Sequence, residues 1–195
     1  MKKFIFDLET TGLDAKRHGI IQIAGIIRLP GDVKHKFDFK CRPFPGQELD
    51  PGALAVTGST PELISSYHDP RKVYKALISL MSKYVDQYDK NDKFTIIGYN
   101  CTFDINFLRE FFRKNDDKYY GSWFSSYNMI DVHKLFTALR GSGFYPELEE
   151  LPNMKLETLA NHYGVEINAH DALSDIYATE KLYDIFIQQM ARAQR

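Results

Sequence analysis

Cysteine is nearly absent from this chain, with only Cys41 and Cys101 among 195 residues. The two lie in different segments without Cys-x-x-Cys spacing, which excludes a disulfide scaffold and a cysteine-based zinc site and leaves reduced thiols. An excess of either charge is missing too: 25 Lys and Arg balance 26 Asp and Glu, for a net charge of −1. Without a global basic field, any nucleic-acid partner has to be held by a local groove or by metal ions. No apolar run approaches the roughly 20 residues of a membrane span. The start Met1-Lys2-Lys3-Phe4-Ile5-Phe6 carries the charge of a secretion signal, but Asp7 and Glu9 interrupt its apolar stretch at once, so a cytoplasmic location is expected. Internal repeats and low-complexity tracts are absent as well. What the chain does have is 44% hydrophobic and 14% aromatic residues. That suffices for one well-filled core and is short for two, so residues 1–195 read as one domain.

Two acids stand in a segment that otherwise reads as buried strand, Phe4-Ile5-Phe6-Asp7-Leu8-Glu9. Strand side chains alternate, so Phe4, Phe6 and Leu8 point to one face while Ile5, Asp7 and Glu9 point to the other, with the two acids ~6.5 Å apart. Like charges buried at that range demand a cation or a strongly shifted pKa. The spacing alone is weak, because 16 Asp and 10 Glu produce about one Asp-x-Glu in such a chain by chance. The context adds weight: Thr10-Thr11-Gly12 ends the strand and exposes its carboxyl end, where open α/β sheets place their sites.

Residues 19–29 read as a long buried strand closed by a Pro30-Gly31-Asp32 turn, and residues 33–41 as its antiparallel partner, completing a three-strand meander. Residues 43–60 are mainly loop, with a short helix at 53–56. Asp69-Pro70 caps and opens a helix through Val73, Leu77, Leu80, Met81 and Tyr84. Residues 93–98 form a short strand leading into a helix capped by Asn100 or Thr102, with Phe103, Phe107, Leu108, Phe111 and Phe112 along it. Residues 129–132 form another strand, followed by a helix through Leu135 and Leu139 that stops at Gly141. Residues 143–154 read as loop, 155–163 as a short helix, and Asp171 caps a last amphipathic helix. The order βββ, α, β, α, β, α, α, α describes a mixed sheet with helices packed on it.

Further acids can complete the site. Asp104 lies in the first turn of the helix after residues 93–98, where the helix dipole favours an acid for purely local reasons as well. His170 and Asp175 sit just before and about one turn inside the last helix. Four carboxylates from one strand and two helix starts can hold two divalent cations ~3.5–4 Å apart, the separation used for in-line displacement at phosphorus. Oxygen ligands without a cysteine cluster point to Mg²⁺ or Mn²⁺ over zinc. His170, with an ordinary pKa near ~6.5, suits proton transfer from an attacking water.

Phe6-Asp7-Leu8-Glu9-Thr10-Thr11-Gly12-Leu13, Tyr99-Asn100-Cys101-Thr102-Phe103-Asp104 and His170-Asp171-Ala172-Leu173-Ser174-Asp175 follow one another in an order that resembles the DEDDh-type 3′→5′ exonucleases, the family of proofreading epsilon-like subunits. The resemblance implies a ribonuclease H-like mixed sheet of about five strands, a three-strand antiparallel meander plus two parallel strands, flanked by helices. It implies Asp7, Glu9 and Asp175 on a first metal, Asp7 shared with a second, Asp104 on the second directly or through water, and His170 as general base. Thr10, through its backbone, Leu13, as an apolar wedge, and Asn100 and Phe103, lining the same pocket, match positions that meet the terminal nucleotide; ordinary core packing is the alternative for Leu13 and Phe103. Tyr99 stands where many relatives have His, and Val56-Thr57-Gly58 where a His-Gly pair is frequent. The implied activity is metal-dependent removal of nucleoside 5′-monophosphates from a nucleic acid 3′ end, DNA favoured and single-stranded. A DNA polymerase is an admitted partner, docking on the domain surface. An RNA-trimming enzyme and a non-catalytic nucleic-acid-binding or polymerase-associated module of the same fold are the alternatives. The aromatic run at 119–124 reads as buried packing, with base stacking as the other use of such residues.

Overall fold

The computed structural model describes residues 1–168 and 171–192, with backbone alone at 126–128 and 192. The strands β1 (Lys2–Thr10), β2 (Ile20–Arg28), β3 (Lys34–Lys40), β4 (Phe94–Gly98) and β5 (Phe124–Asp131) form one sheet in the order β3-β2-β1-β4-β5. β1 pairs antiparallel with β2 and β2 antiparallel with β3, while β4 runs parallel to both β1 and β5. The strand that carries Asp7 and Glu9 is therefore the centre of the sheet. Its pairing with β2 shifts register between Glu9 and Thr10, an irregularity that falls where the strand leaves its apolar stretch.

The alternation along β1 divides the core between two faces. Phe4, Phe6 and Leu8 enter one apolar cluster beneath α3 (Pro70–Met81) and α4 (Thr102–Lys114). Ile5 joins the other, beneath α5 (Val132–Arg140), α7 (Leu156–His162) and α8 (Ala172–Arg192). Phe4 is fully buried against the rings of Phe6, Phe37, Phe94 and Phe124, at 5.2 to 5.5 Å between centroids. Each such side chain contributes about 1.5–3 kcal/mol on leaving water. The aromatic run at 119–124 is mostly drawn into this face: Trp123 and Phe124 are buried, whereas Tyr119 stays exposed.

Several boundaries differ from the sequence expectation. The short helix near residue 53 extends over α1 (Pro51–Thr57), and Val132 opens α5 instead of closing a strand. α6 (Pro146–Glu149) fills a segment expected as loop, and α2 (Pro61–Ser65) lies just beyond the expected loop at 43–60, in a segment given no expectation; each starts with Pro at its first position, and both are too short to show a helical period. α4 is capped neither by Asn100 nor by Thr102. Cys101 occupies the cap position without a side-chain bond, and Thr102 is already helical. α8 starts as expected, with the Asp171 carboxylate accepting from the Ser174 N–H at 2.9 Å. Both cysteines are free and buried, and no helix among the described residues is long and apolar enough to cross a membrane.

Candidate active site

Three elements deliver acids to one place. Asp7 and Glu9 come from the carboxyl end of β1, Asp104 from the first turn of α4, and Asp175 from the first turn of α8. Asp7 and Asp175 line an open cleft of about 560 Å³ together with Tyr99, Asn100 and His133 and with Met154 to Glu157. Burial raises the Asp7 carboxyl well above its ordinary value, and the facing charges of Asp104, Glu9 and Asp175 raise it further. Glu9 is pushed up to about 7 by burial and by Asp175 and Asp171. Asp104, only 5% exposed, is also pushed up to about 7. Burial dominates there, opposed by the backbone N–H groups of Asp104 and Leu8, with Glu9 and Asp131 adding repulsion. The four acids thus feel one another.

The donor set fits a hard divalent cation: carboxylates from three elements whose mutual repulsion an ion of charge +2 relieves, with no thiolate facing them. Among the described residues, no three of these groups already close on a point in a metal-holding arrangement. His170 lies outside the described residues. On either side of it, the Asp171 N–H donates to the Asn168 carbonyl at 3.2 Å.

The four residues expected at the terminal nucleotide are placed unequally. Thr10 is buried and its hydroxyl donates to the Gly12 carbonyl at 2.8 Å, which leaves only its backbone for a ligand. Gly12 itself is required by close approach, since an added Cβ would sit 2.3 Å from the His18 ring. Leu13 is 84% exposed, so it is not core packing. Leu13 and Phe103 line a second cleft of about 440 Å³ with Lys16, Asn106 and Glu110, and the Phe103 ring packs on Phe107 at 4.8 Å. Asn100 lines the first cleft instead, so the expectation that Asn100 and Phe103 share a pocket is corrected. Asn100 precedes the start of α4 and Phe103 lies in its first turn.

Asn100 has the left-handed backbone angle φ 55°, a conformation that costs a non-glycine residue about 1 kcal/mol or more. Its N–H donates to Asp131 Oδ1 at 2.9 Å. Gly98, two residues earlier, allows the tight approach of this turn: a Cβ there would lie 2.6 Å from that of Cys101. Tyr99 donates its hydroxyl to the Met154 carbonyl and sets its ring edge-on to His133 at 5.5 Å. The sequence reading missed His133, Lys155 and Glu157 at the cleft, and it missed Asp131. An acid closing an apolar strand is the same signal that singled out Asp7, and it was present in Met129-Ile130-Asp131.

A ribonuclease H-like sheet with acids gathered at the carboxyl end of its central strand defines a nuclease. The family model RNase_T, described as Exonuclease, matches residues 4–183, and the chain belongs to this family of DEDD-type 3′→5′ exonucleases. The chain is 34% identical over 149 residues to Exodeoxyribonuclease I of Escherichia coli, covering 72% of this chain and 30% of that protein. It is 27% identical over 187 residues to a PolC-type DNA polymerase III of Oceanobacillus iheyensis, covering 95% of this chain and 11% of the polymerase. The crystal structure of E. coli Exonuclease I with a dT13 oligonucleotide superposes with a TM-score of 0.74 at 26% identity, covering 95% of this chain and 40% of the other. A zinc-bound E. coli Exonuclease I–ssDNA complex superposes with a TM-score of 0.78 at 27% identity, covering 98% and 41%. The chain therefore spans less than half the length of each of these relatives.

Proposed function

We propose that residues 1–195 act as one cytoplasmic exonuclease domain that hydrolyses the terminal phosphodiester of a DNA 3′ end, single-stranded by preference, and releases nucleoside 5′-monophosphates. The observation that carries this reading is the convergence of four acids from β1, α4 and α8 beside an open cleft that Asp7 and Asp175 line. DNA is favoured because Exodeoxyribonuclease I is among the relatives and its solved complexes hold a dT13 oligonucleotide and ssDNA. The likeness to PolC-type polymerase III supports a DNA polymerase as partner.

Asp7, Glu9 and Asp175 would hold one Mg²⁺ or Mn²⁺, and Asp7 and Asp104 a second. Bound there, the two cations supply charge neutralisation for the attacking and leaving oxygens. Asp7, Glu9, Asp104 and Asp175, delivered from three elements, would fix where the cations sit and, through them, where the scissile phosphate lies. His170 takes the proton of the attacking water, so activity under metal saturation rises with pH as the imidazole loses its proton. The Thr10 backbone, Leu13, Asn100 and Phe103 hold the last nucleotides; Leu13 and Phe103 offer apolar surface to a base beyond the first cleft.

A 5′-labelled single-stranded oligonucleotide incubated with Mg²⁺ or Mn²⁺ is expected to shorten stepwise from its 3′ end, to stop in EDTA, and to survive intact with Asp7→Ala. Retained cleavage by that variant would reject the carboxylate site. The same strand made of RNA, run in parallel, reads the sugar preference directly.

A further inference from the structure

Asp131 takes no part in the chemistry above, yet it is a carboxylate only 5% exposed at the end of β5, aligned with Gly98 across the β4 pairing. Its two oxygens are divided. Oδ1 accepts from the Asn100 N–H at 2.9 Å, and Oδ2 lies 3.2 Å from Nζ of Lys134, one turn into α5. Burying an acid this way is costly unless its bonds are made, and a charge-assisted bond to a backbone N–H is among the stronger ones available. The donor of that bond is the one residue of the turn between β4 and α4 with a positive backbone angle, and it lines the acidic cleft. α4 has no side-chain cap of its own, so the turn lacks the local bond that normally orders a helix start.

We propose that Asp131 is a positioning residue: by holding the Asn100 backbone in its left-handed turn, it aims the Asn100 side chain at the terminal nucleotide. Lys134, with its Nζ 3.2 Å from Oδ2, holds the Asp131 carboxylate in place for this bond. The inference rests on the reading of Asn100 as a nucleotide contact, and a double-mutant cycle separates the two.

Steady-state cleavage of a single-stranded oligonucleotide is measured for wild type, Asp131→Ala, Asn100→Ala and the double variant, with thermal melting of each. Asn100→Ala is expected to lower kcat/KM, chiefly through KM. Asp131→Ala is expected to lower kcat/KM by about tenfold in the wild-type background and by less than about twofold in the Asn100→Ala background, the scale on which a displaced positioning group acts. Asp131→Asn, which keeps an acceptor oxygen, is expected to restore most of the loss. An equal loss in both backgrounds, or no loss with Asp131→Ala, overturns the positioning role while leaving Asn100 as a contact. Unchanged kinetics of Asn100→Ala overturn the contact and the inference together. Where Asp131→Ala does not fold, Asp131→Asn decides: a tenfold loss in that variant shows that the charge and not the bond matters, and rejects the proposal.

Discussion

At the scale of single residues, exposure and chemistry separate in a way that makes two substitutions informative. Leu13 is 84% exposed to solvent, where a large aliphatic residue has little to gain from folding. Leu13→Ala should therefore change stability by less than about 0.5 kcal/mol. If its side chain lies against a base of the substrate, the same change should raise KM for an oligonucleotide by about tenfold, since burying an aliphatic side chain of this size is worth about 1.5–3 kcal/mol. Melting curves and initial rates on one protein preparation check both halves. Unaltered KM would leave Leu13 as bare surface. Asp7 behaves in the opposite sense. Surrounded by Asp104, Glu9 and Asp175, its charge opposes folding when no cation is present. Asp7→Asn should abolish cleavage and raise the melting temperature of metal-stripped protein at pH 8 by a few degrees. A lowered melting temperature would mean that the carboxylate is bonded in a way that offsets its repulsion.

At the scale of elements, what could be read from the chain was set by how local the cause is. The faces of β1 were legible because alternation is a property of neighbouring residues: Phe4, Phe6 and Leu8 do enter one cluster and Ile5 the other. The start of α8 was legible because Asp171 caps it three residues away. The start of α4 at Thr102 was legible too, but its capping was not: neither Asn100 nor Thr102 caps it, and the bond that fixes the turn before it joins Asn100 to Asp131, across 31 positions of sequence. α2 and α6, of 5 and 4 residues, are shorter than the window in which a period shows. Of the acids, Asp7, Glu9, Asp104 and Asp175 were legible together through order and spacing; Asp131, His133 and Lys155 meet them only after the sheet has formed. The placement of α8 is likewise a tertiary matter. Arg28 on β2 binds both oxygens of Asp184 at 2.7 and 2.9 Å and Asp32 at 2.5 Å, and lies 3.4 Å from the buried Glu180. Lys34 holds Glu180 at 3.0 Å from β3. Arg28→Met should thus cost about 2–3 kcal/mol, below the full penalty for a stranded buried charge because Lys34 remains. A melting temperature within a degree of wild type would show that α8 is held by its apolar face alone.

For the molecule as a whole, the acidic cleft couples folding to pH and to metal. Glu9 has an ordinary value of 4.5 and is pushed up to about 7 in the folded chain, foremost by burial. Between those two values the unfolded chain has released this proton and the folded chain still holds it. Stability therefore falls as pH rises from about 4.5 to about 7, and the loss is complete above that range. The same sign holds for Asp104, whose carboxyl moves from 3.8 to about 7. Other acids titrate over this interval, so the contribution of Glu9 is isolated by comparison with Glu9→Gln, which cannot ionise. In EDTA the melting temperature of wild type is expected to fall relative to that of Glu9→Gln from pH 5 to pH 8, each kcal/mol of penalty moving it by roughly 2–4 °C. Saturating Mg²⁺ or Mn²⁺ binds the ionised cleft and not the unfolded chain, so it should stabilise wild type most at pH 8 and Glu9→Gln less at every pH. Two parallel pH series of melting curves, with metal and without, test this. A difference between the two proteins that stays constant with pH in EDTA would show that Glu9 ionises in the folded chain as it does in the unfolded one, and that the cleft needs no cation to relieve it.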